Sequence, residues 1–228
     1  MGSASPGFGP LLRRLKDLPY VGRPLPAPRS PREPSWPHVL CPYPPASLAG
    51  GVALDPRLAE LKAVAEAVER HWLAPPPDLP HRRAWNDRSA DPALWLDVRR
   101  RDRARLLRNA RLRWIPARDL IGNRPVWIPA QEAFVPYRFD DEPRARRPIS
   151  TGAAFGRTLA DATLRGLLEC IERDAFMIAH LKRLPLPRVS HPRIARLQER
   201  IRARGRSLHV FELPNDFGVS THLALQIY

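Results

Sequence analysis

Residues 166–176 read GLLECIERDAF. Glu169 and Glu172 stand three apart, Arg173 follows at once, and apolar Leu168, Ile171 and Ala175 surround them. Further upstream, residues 63–73 read AVAEAVERHWL. Glu66, Glu69 and Arg70 repeat the pattern, with Ala67-Val68 where the later stretch has Cys170-Ile171. On an α-helix, residues i and i+3 share a face and i+4 lies beside i. Each glutamate pair therefore projects together, with an arginine flanking its first member. If the two helices face each other, four carboxylates converge. Carboxylates packed that closely repel strongly, and a divalent cation removes the repulsion. Mg2+ suits hard oxygen ligands and commonly bridges to phosphates, and an arginine is a bidentate phosphate clamp. A single Glu-x-x-Glu-Arg is also an ordinary solvated helix face. Two copies with matching apolar neighbours argue for shared chemistry.

The chain around these segments reads as alternating helices and strands. Asp55 caps a helix over Pro56–Leu73, with Pro56 in the first helical position, and Leu58, Leu61, Ala65 and Val68 form its apolar face. A short helix is expected from Pro92 or Ala93 to about Leu107. Arg113–Ala117 and Val126–Pro129 read as strands flanking a GNRP turn, with a further strand near Ala133–Tyr137. The run ISTGAAFG (149–156) is a turn of small residues. Its backbone N–H groups and the hydroxyls of Ser150 or Thr151 suit phosphate oxygens, yet no Gly-Lys-Ser/Thr follows as in a P-loop. Thr158 caps the long second helix, expected over Leu159–Leu181, with Asp161 at its positive end. Pro192–Arg204 is expected as a helix closed by Gly205, then strands over Ser207–Leu213 and Ser220–Ile227.

Composition narrows the classes. The 228 residues suffice for one large domain or two small ones. The 28 prolines against 12 glycines are concentrated toward the start, so residues 1–47 are expected as an extended, partly disordered Pro-rich arm. Lys and Arg number 38 against 23 acidic residues, a net charge of +15, mostly from arginine. Such a charge fits an anionic ligand, an acidic partner or a nucleic acid. Two cysteines, Cys41 and Cys170, show no metal or disulfide spacing. They favour a reducing, cytoplasmic setting. No apolar run reaches the length of a membrane span.

The combination of these segments resembles the YcaO family. STGAAFGRTLADATLRGLLECIERDAF (150–176) is similar to that family's second ATP-binding segment, and ELKAVAEAVERHW (60–72) to its first Glu-x-x-Glu-Arg helix. WIPARDLIGNRPVWIPAQEAFVPY (114–137) resembles the stretch between them. The likeness runs from about Leu48 to the end. It implies an α+β fold with helices on a mostly antiparallel sheet, in which residues 48–228 form the N-terminal part of an incomplete YcaO-like domain. It implies ATP and Mg2+ as cofactors. Carried over position by position, Glu66, Glu69, Glu169 and Glu172 match the Mg2+ ligands. Ser150, Thr151, Gly152, Arg173 and Arg70 fall in the nucleotide-contacting set. No residue is singled out as catalytic. Asp161 stands where the family more often has Glu, and Val52 where a lysine is common.

The activity implied is cyclodehydration of Cys, Ser or Thr in a ribosomal precursor peptide to an azoline. The peptide's side chain attacks the preceding amide, and phosphorylation of its oxygen drives loss of water. Implied partners are the precursor peptide, a leader-peptide-binding ThiF-like protein, a flavin dehydrogenase and a second copy of the chain, with no membrane. Because the family has further elements in a C-terminal half, the sequence is expected to be a truncated form. Two other readings differ in what they require. A non-catalytic peptide- or partner-binding protein would not need the glutamates. A basic nucleic-acid-binding domain would use the arginines and lose affinity steeply with salt.

Overall fold

Asp55 starts the first of the two motif helices. Its Oδ1 accepts a hydrogen bond from the Arg57 N–H at 2.9 Å, satisfying one of the donors that a helix start leaves open. In the computed structural model, which describes residues 8–28, 37–44, 47–76, 81–82, 112–139, 142–144 and 147–227, this helix runs over Pro56–Leu73. It is α2, following α1 (Phe8–Lys16). Three strands accompany them: β1 (Leu25–Pro26), β2 (His38–Tyr43) and β3 (Ser47–Val52). They pair antiparallel in the order β1-β2-β3, with Cys41 opposite Ala49.

The chain divides into two compact units, residues 1–68 with 151–228, and residues 69–150. In the first, Leu15, Cys41, Ala49, Leu61, Ala63, Val64, Ala67 and Val68 form one apolar core, with Phe155 packed against it. Leu11 and Leu12 of α1 pack there as well. Where the proline content suggested an extended arm, the described residues up to 47 thus carry a helix and two strands, of which α1 and β2 contribute to a core. The prolines are accommodated at strand positions such as Pro26 and Pro42. The apolar spacing of Leu11, Leu12 and Leu15 is a helical signal that the proline count outweighed.

The rest of this unit is α3 (Leu159–Lys182), α4 (Pro192–Arg202), β7 (Ser207–Leu213) and β8 (Thr221–Ile227). β7 and β8 form an antiparallel ribbon. Ala175 and Ala179 of α3 pack with Leu213. Thr158 caps α3 as expected, its Oγ1 accepting from the Asp161 N–H at 3.1 Å.

The second unit is an antiparallel sheet of β4 (His81–Arg82), β5 (Leu112–Asp119) and β6 (Arg124–Pro129). Leu112 and Trp114 are buried there. The Glu142 side chain is buried, 6% exposed. It accepts from the Arg113 N–H at 2.7 Å and from the Tyr137 hydroxyl at 3.1 Å. Burial, chiefly, and then the Glu142 charge push the Tyr137 hydroxyl up to about 12. The strand expected near Ala133–Tyr137 is absent. A 3-10 turn at Ala130–Glu132 occupies the approach, and both Ala133 and Phe134 donate their N–H to the Ala130 carbonyl at 3.0 Å, so those donors are spent within the turn. The helix expected between residues 92 and 107 lies outside the described residues.

These mixed helices and small antiparallel sheets make an α+β fold.

Candidate functional site

Glu169 sits about three turns into α3, half-buried, where both of its oxygens are engaged. Oε2 accepts from the Gly152 N–H at 3.1 Å. Oε1 accepts from Arg173 Nε at 2.8 Å, an i,i+4 pair along the helix. The small-residue turn, the first glutamate and the arginine of the second motif therefore meet at one place. Gly152 has φ +87°, a left-handed conformation that a side chain would strain. Thr151 beside it is half-buried, and Glu172 is exposed on α3.

The close approach of the turn has its own cause. A Cβ added at Gly166 would overlap the Gly152 carbonyl oxygen and stand 3.2 Å from its carbon. A Cβ at Gly152 would come within 3.1 Å of Cys170 Sγ. Cys170 is thus an exposed thiol lying alongside the turn.

The first motif is built alike. Glu66, half-buried on α2, accepts the Gly50 N–H on Oε2 at 2.9 Å. Gly51 makes the contact possible: a Cβ there would overlap the Ala59 carbonyl oxygen and lie 2.5 Å from Ala63 N. Neither Gly50 nor Gly51 was singled out from the sequence. The Gly-Gly pair preceding a Glu-bearing helix is the signal that could have found them. Glu69, Arg70 and Ser150 are half-buried residues of the second unit. Glu69 and Arg70 both have interaction partners.

Among the described residues, no three His, Cys, Asp or Glu side chains gather as a metal-ligand group. The Glu66 carboxylate accepts from the Gly50 N–H, and that of Glu169 from the Gly152 N–H and Arg173. The donor set nevertheless fits a magnesium nucleotide. Carboxylate oxygens are the ligands that Mg2+ prefers. A backbone N–H in a glycine turn and a guanidinium are the donors that phosphate prefers.

At the start of α3, Asp161 accepts from the Arg157 N–H at 3.0 Å and from Arg165 Nε at 2.9 Å. The Arg157 N–H, first, and the Arg165 side chain hold its carboxyl below the usual carboxylate range. Trp114 and Trp127, the tryptophans of the Arg-rich stretch that a nucleic acid could stack on, belong to β5 and β6, and Trp114 is buried. That burial removes Trp114 from any stacking surface.

Residues 50–228 match the family described as YcaO cyclodehydratase, ATP- and Mg2+-binding. Among curated proteins, the chain is 32% identical over 120 residues to an uncharacterized protein of Methanothermobacter thermautotrophicus, covering 50% of this chain and 31% of that one. It is 28% identical to an uncharacterized protein in the tfuA 3′ region of Rhizobium leguminosarum bv. trifolii, covering 49% and 28% respectively. The matches thus span about a third or less of those relatives. Among solved structures, YcaO from Methanopyrus kandleri, bound with AMPPCP and Mg2+, superposes with a TM-score of 0.67 at 23% identity. That match covers 89% of this chain and 51% of the other. A heterocyclase in complex with substrate and cofactor gives a TM-score of 0.73 at 22% identity, covering 91% and 33%. Both likenesses are likenesses of fold.

Proposed function

This chain belongs to the YcaO family, and from that premise we propose that it contributes to ATP- and Mg2+-dependent cyclodehydration of a ribosomal peptide. In this reading Glu66, Glu69, Glu169 and Glu172 hold Mg2+. Ser150, Thr151, Gly152, Arg70 and Arg173 hold the nucleotide. The observation that supports it best is the meeting of Gly152, Glu169 and Arg173, in which one carboxylate accepts from both a glycine-turn N–H and a guanidinium. When bound, the magnesium nucleotide supplies a phosphoryl group that turns the peptide amide oxygen into a leaving group. The chain's own residues contribute positioning and charge neutralisation, which are the main protein contributions to phosphoryl transfer. Glu169 and Glu172 offer oxygens to the cation, Arg173 carries positive charge to the phosphates, and the Gly152 turn admits them without a side chain in the way.

The substrate proposed is a Cys-, Ser- or Thr-containing precursor peptide. Its delivery by a leader-binding ThiF-like protein, later oxidation by a flavin dehydrogenase and pairing of two copies follow from the same reading. The free cysteines Cys41 and Cys170 suit a cytoplasmic setting, and no helix among the described residues is long and apolar enough to cross a membrane.

Thermal unfolding of the chain with ATP and Mg2+ tests the assignment. A ligand at about a hundredfold its Kd adds ~2.7 kcal/mol. At about 2–4 °C per kcal/mol for a chain of this size, the midpoint rises by roughly 5–10 °C. The rise needs both ATP and Mg2+, and Glu169→Gln or Glu172→Gln abolishes it. A wild-type midpoint that ignores Mg2+ and ATP, or variants protected as well as the wild type, would sink the reading.

A further inference from the structure

We propose that Gly51 and Gly166 are positioning residues for Glu66 and Glu169, and that the N–H groups of Gly50 and Gly152 fix the orientation in which those two carboxylates meet a divalent cation. The inference rests on the magnesium-nucleotide reading and assigns roles to residues which that reading leaves without one.

The two motifs superimpose by sequence with a constant offset, and the offset carries more than the glutamates. Three residues before Glu66 stands Ala63, and three before Glu169 stands Gly166. At each of these places a preceding glycine segment crosses the helix at backbone distance. On α2 the crossing residue is Gly51, whose added Cβ would lie 2.5 Å from Ala63 N. On α3 the crossing residue is Gly152, against which a Cβ at Gly166 would collide. At each crossing a glycine N–H then reaches one helical turn along and donates to the glutamate, at 2.9 Å for Gly50 to Glu66 and 3.1 Å for Gly152 to Glu169. In both cases the glycine N–H goes to one carboxylate oxygen, and the second oxygen of Glu169 accepts from Arg173. The same device is therefore built twice, once from a strand and once from a turn.

Two independent segments arriving at one geometry require a common constraint, and chain packing alone supplies none. A strand edge and a left-handed turn have different backbones and need not deliver an N–H to the same side-chain position. A shared ligand does supply one. A glutamate on a helix has several rotamers, and a hydrogen bond from a fixed backbone N–H to one of its oxygens selects among them. Outer contacts of this kind orient metal ligands, and their loss commonly weakens metal affinity by about 10–100-fold.

The substitution Gly166→Ala tests the claim, with Gly51→Ala as its counterpart on α2. The readouts are the amide resonances of Gly50 and Gly152 in a 15N-labelled chain and the affinity for Mg2+ with ATP. In the wild type, both amides move on titration with Mg2+ and ATP. In Gly166→Ala, the Gly152 amide shifts to where Glu169→Ala puts it, the Gly50 amide stays, and the Kd rises about tenfold or more. A merely structural glycine would lower the melting midpoint and leave the Gly152 resonance and the Kd of the folded protein unchanged, which overturns the proposal. If Gly166→Ala does not fold, the wild-type titration decides. Mg2+ and ATP binding with both amides unmoved refutes the positioning role, and both amides moving together supports it. A wild type that binds no Mg2+ with ATP refutes the nucleotide reading itself, a result distinct from binding with unmoved amides.

Discussion

α2 and α3 carry the same motif in opposite settings. Aligned on their glutamates, Leu61 corresponds to Leu164, Val64 to Leu167 and Ala67 to Cys170. On α2, Leu61 is 8% exposed and Val64 and Ala67 are fully buried. On α3, Leu164 is 56% exposed, Leu167 is 47% exposed, and Cys170 is exposed. The larger side chains lie on the less covered helix. Yet the Gly–Glu contact is present on both. The Gly–Glu contact thus does not depend on how deeply the helix is covered, whereas burial depends on which other elements reach the helix. α2 is covered by α1, β2 and β3, all within its own sequence neighbourhood. α3 receives the β7–β8 ribbon over Ala175 and Ala179, and Leu164, Leu167, Leu168 and Leu181 remain exposed.

The strongest way to break this contrast is a matched pair of truncations. Leu61→Ala removes a buried side chain from a packed core and should cost about 2–5 kcal/mol in urea unfolding. Leu164→Ala, at the same step of the other helix, should stay within about 0.5 kcal/mol, as surface substitutions do. Equal costs would mean that α3's apolar side chains are covered in solution, and the contrast would fail.

Much of this was legible in the sequence, for identifiable reasons. The two motif helices carry strong signals at both ends: Asp55-Pro56 and Thr158 at the starts, and an apolar 3.6-residue period between. Their limits agree with the structure, Pro56–Leu73 to the residue and α3 to within one. The hairpin β5–β6 and the ribbon β7–β8 were legible from turn residues between apolar runs. α1 was not, because prolines around it dominate the composition while its helical period spans barely two turns. The supposed strand after Pro129 failed because alternation of apolar residues does not reveal that the donors of Ala133 and Phe134 are used by Ala130 O. At the candidate site, the glutamates and Arg173 could be read from spacing alone. From the sequence the turn's N–H groups, Gly152 among them, read as phosphate donors and not as partners of Glu169. The Gly50 N–H does not read at all, because a backbone donor has no side-chain signature beyond the glycines that let it approach.

A smaller effect sharpens the comparison at the helix starts. Capping satisfies donors within one turn and does not depend on distant packing. Thr158→Ala should therefore cost about 1 kcal/mol even though the first turn of α3 is exposed. Asp55→Ala should cost a similar amount on well-buried α2. Urea unfolding of the two variants checks this. If Thr158→Ala were neutral while Asp55→Ala was not, caps would matter here only where the following helix is buried.

The smallest expected effect is acid sensitivity at the beginning of α3. Asp161 accepts from the Arg157 N–H and from Arg165, and these donors favour its ionised form. Its folded pKa is therefore depressed below the unfolded value of about 3.9. A depressed acid contributes stability above the unfolded pKa and loses it as pH falls through the folded one. Neutral solution thus retains the full contribution, and the loss begins only as pH drops below about 4. Because the group is exposed, the change is too small for a global melt and belongs in a local measurement. Hydrogen exchange of the amides around Arg157 to Asp161 should quicken below that pH in the wild type, beyond the change seen in Asp161→Asn, while amides in the buried middle of α2 keep their protection. A wild type and Asp161→Asn with the same acid profile would show that the start of α3 is held by Thr158 alone.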